Sequence, residues 1–177
     1  MFKPIKISFD CWEIPEIAMF AERRNCGKQP NGVQNKKYDP NKTDFTVNYN
    51  GAMGEYAVAK YIDAQIDKSI RLSGDNKISD LVKNNIQIQV KNTTFSLDNP
   101  FLFFNFKNLF KADIAVLTSP RSANEINING WITREDYLNK AEEVNFGRGV
   151  RWAVQTDKLN DPKLLLQFLE VREEEFI

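Results

Sequence analysis

The chain predicts an α/β domain in which a central mixed β-sheet is flanked by helices. Three patterns carry that expectation. Small and apolar residues recur at helical spacing over residues 51–62. Apolar and polar residues alternate with period two through residues 86–91. Two β-branched, apolar runs follow at 113–118 and 126–133, separated by a polar turn around Ser119 and Pro120. With 177 residues, 42% hydrophobic and 27% charged, the chain suits one domain with a full core.

The elements follow in order. Residues 2–9 alternate weakly and suit an edge strand, and Pro15 opens a helix over 16–24. Residues 25–48 hold Gly27, Pro30, Gly32 and Pro40 among many Asn and Lys, the composition of a long basic surface loop able to close over a polymer. Asn50 is the expected N-cap of the helix over 51–62, with Ala57, Val58, Tyr61 and Ile62 as its apolar face and Glu55 near its small-residue side. Residues 77–82 and 86–91 read as a hairpin joined by Lys83, Asn84 and Asn85, because Asn tolerates positive φ. The aromatic run at 101–106 reads as a buried strand in preference to a base-stacking platform. Thr133 caps a short helix with Glu135 and Asp136 in its first turn. A further strand spans 151–154, and Asp161-Pro162 starts a last helix from Lys163 to about Glu174.

Composition excludes more than it selects. The histidine count is zero, which removes Ser-His-Asp hydrolases, Cys-His proteases and histidine-ligated zinc enzymes. Hydrolysis here has to run on carboxylates, lysines, tyrosines and metal-activated water. Cys11 and Cys26 lack metal-ligand spacing and suit two reduced thiols in a cytoplasmic protein. No apolar run approaches the ~18 residues of a membrane span, and the first residues lack the pattern of a secretory signal. The 24 basic and 24 acidic residues cancel, yet their distribution is uneven. Arg23, Arg24, Lys28, Lys36, Lys37 and Lys42 cluster against Asp39 alone, whereas the tail after Lys163 is acidic. That cluster is the candidate phosphate-facing surface, with Lys107, Lys111 and Arg121 as further contacts.

Within this frame Glu55, Asp80, Gln89 and Lys91 form the candidate catalytic set. Gln89 and Lys91 share one face of their strand. Phosphodiester cleavage needs an in-line nucleophile and positive charge to offset the developing phosphorane, and a hard divalent cation on oxygen ligands provides both. Asp80, the Gln89 side chain and the Val90 carbonyl are the expected metal ligands, with Glu55 binding the same ion through water or holding a second one. Lys91 is placed to orient the water or neutralise phosphate charge.

Gly54-Glu55, Ser79-Asp80 and Gln89-Val90-Lys91 resemble the three motifs of the PD-(D/E)XK, or restriction-endonuclease-like, nuclease superfamily. The resemblance covers about residues 51–152 and departs at two positions: Ser79 replaces the usual proline and Gln89 the usual acid. It implies a restriction-endonuclease-like core, dependence on Mg²⁺ with Mn²⁺ as substitute, and DNA hydrolysis leaving 5′-phosphate ends. RNA as an alternative substrate, a homodimer that addresses both strands, and a phage or mobile-element setting belong to the same expectation. The alternative is a nuclease-fold domain that lost activity through Gln89 and binds nucleic acid or a protein partner.

Overall fold

The computed structural model describes residues 2–28, 41–66, 68, 78–94, 98–147 and 149–174. The first helical hairpin is built from α1 (Glu13–Lys28) and α2 (Asp44–Ile62), preceded by the edge strand β1 (Ile5–Ser8). Glu13 starts α1 ahead of Pro15 because its own carboxylate accepts the Asp10 N–H at 2.7 Å, satisfying a donor at the helix start. Thr43 caps α2 by accepting the Thr46 N–H at 3.1 Å, and Phe45 stacks on Tyr49 one turn further along. The expected cap, Asn50, is therefore inside the helix. The expected loop at 25–48 is shortened from both sides, since 25–28 belong to α1 and 44–48 to α2. Lys36 and Lys37, with Asp39, lie outside the described residues, as does Lys77 at the start of the expected hairpin.

The hairpin itself is tighter than expected. Strands β2 (Leu81–Lys83) and β3 (Ile86–Asn92) are joined by Asn84 and Asn85 alone, at φ 49° and 61°. Both residues occupy the left-handed region of a two-residue type I′ turn, so Lys83 joins the ladder and pairs with Ile86. Strand β5 (Ile114–Ser122) runs straight through Ser119 and Pro120, where a turn was expected, and pairs with β6 (Glu125–Thr133). The ladder shifts register just past Pro120, an irregularity that accommodates a residue with no N–H to give.

These strands make a mixed five-stranded sheet in the order β1-β6-β5-β3-β2, in which only the β3–β5 pair is parallel. A second, antiparallel sheet was not anticipated: β4 (Phe101–Phe104), β8 (Val150–Gln155) and β7 (Glu142–Asn145), in the order β4-β8-β7. The mixed α/β architecture is as expected, with helices packed on the five-stranded sheet. On one face Val58, Ala59 and Ile62 of α2 and Leu165 and Leu169 of α4 (Leu165–Glu174) meet Ile88, Val90, Ile114 and Val116. On the other face Ala115, Leu117 and Ile132 meet Leu102, Phe104 and Val154 of the second sheet, with Tyr137 of α3 (Arg134–Lys140). Leu102 and Phe104 are buried and Phe104 stacks on Phe110 at 5.0 Å, so the aromatic run contributes a core strand. The Thr133 cap holds as expected, with its hydroxyl accepting the Asp136 N–H at 3.1 Å.

Candidate metal and phosphodiesterase site

Strand β2 ends one residue short of Asp80 on the side away from the turn, and that residue leaves the regular ladder. Its N–H donates to the Ile88 carbonyl at 2.8 Å, while its Oδ2 accepts the Val90 N–H at 2.7 Å. A carboxylate thus completes the edge of β3 where backbone pairing stops. In an antiparallel ladder the N–H and C=O of one residue project to the same side. The Val90 carbonyl is therefore presented on the edge that Asp80 occupies, and the hairpin brings these two oxygen donors together.

Gln89 and Lys91 point to the opposite face of β3 from Ile88 and Val90, as the period-two alternation requires, and so toward the second sheet. Lys91 Nζ lies 4.6 Å from the centroid of the buried Phe104 ring, a cation–π contact that holds the ammonium close to the core. Gln89 Oε1 is buried and has no hydrogen-bond partner among the described residues. An unsatisfied buried acceptor costs roughly 1–3 kcal/mol, so this oxygen is able to accept from a water or coordinate an ion.

Glu55 approaches from the helical layer. It sits one turn ahead of Ala59, is only 6% exposed, and belongs to the stretch of α2 that crosses the end of β3. Gly54 makes that crossing close: a Cβ there would lie 2.6 Å from Thr118 Oγ1 and 3.1 Å from Asn92 Cβ. Asn92 Nδ2 donates to the Asn50 carbonyl at 2.5 Å and its Oδ1 accepts from Thr118 Oγ1 at 3.1 Å, tying α2, β3 and β5 together. The sequence reading missed Asn92 and Thr118. The signal was present, because Asn92 continues the apolar face of Ile86, Ile88 and Val90 with a polar residue.

The structure assigns Glu55 a partner that was not foreseen. Its two oxygens accept from Arg24 Nη1 at 2.5 Å and Nη2 at 2.8 Å, and the Phe20 ring lies 4.2 Å from the guanidinium carbon. Arg24, expected on a phosphate-facing loop, is instead a half-buried link between α1 and α2. Beside it burial chiefly, with the Glu16 and Glu55 charges, pushes the Tyr56 phenol up to about 12. Arg23 is exposed on α1, and Lys42 Nζ meets Thr94 Oγ1 at 2.5 Å. The side chain of Lys28 lies outside the described part of the chain. Of the further candidates, Lys111 is exposed. Lys107 covers Trp152 and donates to the Leu138 carbonyl, and Arg121 pairs with Glu125 at 3.5 Å.

The chemistry of the donor set is that of a hard cation: one carboxylate, one unsatisfied amide oxygen and one backbone carbonyl. Among the described residues no three His, Cys, Asp or Glu side chains group to hold a metal, so the amide and the carbonyl are essential to any such site. Also among them, no helix is long and apolar enough to cross a membrane. No known family model, curated protein or solved structure matches the chain.

Proposed function

We propose that the chain is a metal-dependent DNA endonuclease of the PD-(D/E)XK type, hydrolysing phosphodiester bonds with an activated water. The observation that supports this reading most is the pairing of Asp80 with the Val90 backbone, next in the chain to Gln89, whose buried Oε1 has no partner among the described residues. Asp80, Gln89 and the Val90 carbonyl would hold the ion. Mg²⁺ held there would supply positive charge to the phosphate and activate a water for attack. The chain does the rest. Asp80 is held against the edge of β3 by the Val90 N–H. Lys91 presents N–H donors that orient the water and offset charge on the phosphate oxygens. The exposed Arg23 and the basic segment between α1 and α2 supply sequence-independent attraction to the DNA backbone.

Plasmid nicking with Mg²⁺ tests the reading directly. Wild type should cut, and Asp80→Ala should lose at least about 100-fold in rate, in the range for removing one essential electrostatic group. Equal cutting by both proteins sinks the proposal. A second reading draws on Gln89, which removes one negative charge from the usual set, and on the commitment of Glu55 to Arg24. It makes the chain a nuclease-fold domain that binds nucleic acid without cutting it. Salt-sensitive DNA binding with no cleavage under Mg²⁺ or Mn²⁺ selects that reading.

A further inference from the structure

Glu55 is the acid that the motif resemblance would place on the metal, and its surroundings argue otherwise. Both of its oxygens face the two-nitrogen fork of Arg24, at 2.5 Å and 2.8 Å, with side chains only 7% and 17% exposed. The guanidinium fork matches a carboxylate in two parallel hydrogen bonds, which is the strongest form of this pair. The Phe20 ring packs against the guanidinium at 4.2 Å and holds it in place. Moving Glu55 onto a cation would break both hydrogen bonds of a largely buried ion pair, a costly change. With Glu55 paired to Arg24, Asp80 is the one carboxylate of the proposed donor set, beside an amide and a backbone carbonyl oxygen, which suits one divalent cation and not two.

Resting on the nuclease reading, we infer that Glu55 serves Arg24 and not the metal, so that the site takes one divalent cation on Asp80, Gln89 and the Val90 carbonyl. The Arg24–Glu55 pair locks the last turns of α1 onto α2.

The test is Mn²⁺ binding, read by electron paramagnetic resonance and calorimetry on the full chain without turnover. Wild type should bind one ion. Glu55→Gln should keep the Mn²⁺ Kd within about 2-fold, the scatter of independent sites, while Asp80→Asn should weaken it at least about 10-fold. Because Glu55→Gln leaves a charged Arg24 behind, the double variant Arg24→Met/Glu55→Met, which removes the pair as a unit, should also keep wild-type Mn²⁺ affinity. Two ions per chain, or a loss in either Glu55 variant comparable to that of Asp80→Asn, overturns the inference while leaving the nuclease reading intact. No ion bound by wild type overturns both.

Discussion

Asp80 has two separable duties, and substitutions distinguish them. Its Oδ2 accepts the Val90 N–H, a charge-assisted bond that contributes about 1.5–3 kcal/mol. Asp80→Ala should therefore lower unfolding stability by about that amount in a urea titration. Asp80→Asn, which keeps an acceptor for the N–H, should cost less than half as much while still weakening metal binding. Gln89 is the complementary case. Gln89→Glu restores the acid of the resembled motif at a buried position whose amide oxygen has no hydrogen-bond partner among the described residues. It should tighten Mn²⁺ binding about 10-fold, equivalent to ~1.4 kcal/mol, and should lower thermal stability when no metal is present. A Gln89→Glu protein with unchanged Mn²⁺ affinity would show that this side chain lies outside the site. The hairpin that carries Asp80 and Gln89 was legible from its alternation and its Asn pair. The Arg24–Glu55 pair was not, because 31 positions separate the partners and nothing local to either announces the other.

At the scale of elements, the crossing of α2 over β3 and β5 sets the site's frame. Gly54 permits that crossing, so Gly54→Ala should cost about 1–3 kcal/mol by overpacking against Thr118 Oγ1 and Asn92 Cβ. Thr118→Ala removes the nearer obstacle, and a double-mutant cycle should recover part of the loss, a coupling of at least about 0.5 kcal/mol. Strict additivity would mean that the helix shifts as a body instead. The short turn at Asn84 and Asn85 and the Thr133 cap were readable because their chemistry is local: left-handed backbone in one case, a side-chain acceptor at a helix start in the other. The start of α2 was misjudged because Asn50 and Thr43 are both competent caps. Thr43 prevails because Phe45 and Tyr49 stack across the first turn and so favour the longer helix.

The whole molecule should respond to pH at its extremes and not in the middle. With no histidine, no side chain of ordinary pKa titrates between about pH 5 and 8, so the thermal midpoint should be nearly flat there. On the acid side, the Lys68 hydrogen bond chiefly, with Tyr56, holds the Glu16 carboxyl below its usual value of 4.5. A depressed carboxyl contributes stability that is present above 4.5 and lost as pH falls through the lower folded value. Glu125, held down by Lys6, adds to the same acid arm. On the alkaline side, burial raises the Tyr56 phenol from 10 to about 12. Its contribution is fully present below 10 and lost as pH rises toward 12. Melting curves across pH should fall off at both ends, with Glu16→Gln flattening the acid limb and Tyr56→Phe the alkaline one. A Tyr56→Phe protein that loses stability above pH 10 as steeply as wild type would place the alkaline transition elsewhere.

What the sequence determined alone was whatever depends on neighbours in the chain: helix and strand periods, the hairpin turn, the alternation that puts Gln89 and Lys91 on one face, and the exclusion of histidine chemistry. Tertiary structure decided how those pieces face one another. It set the second sheet behind Lys91, made Asp80 the edge partner of Val90, and gave Glu55 to Arg24. The physical reason is that period and propensity act over a few residues, whereas burial and charge pairing are settled between segments that meet only after the chain has folded.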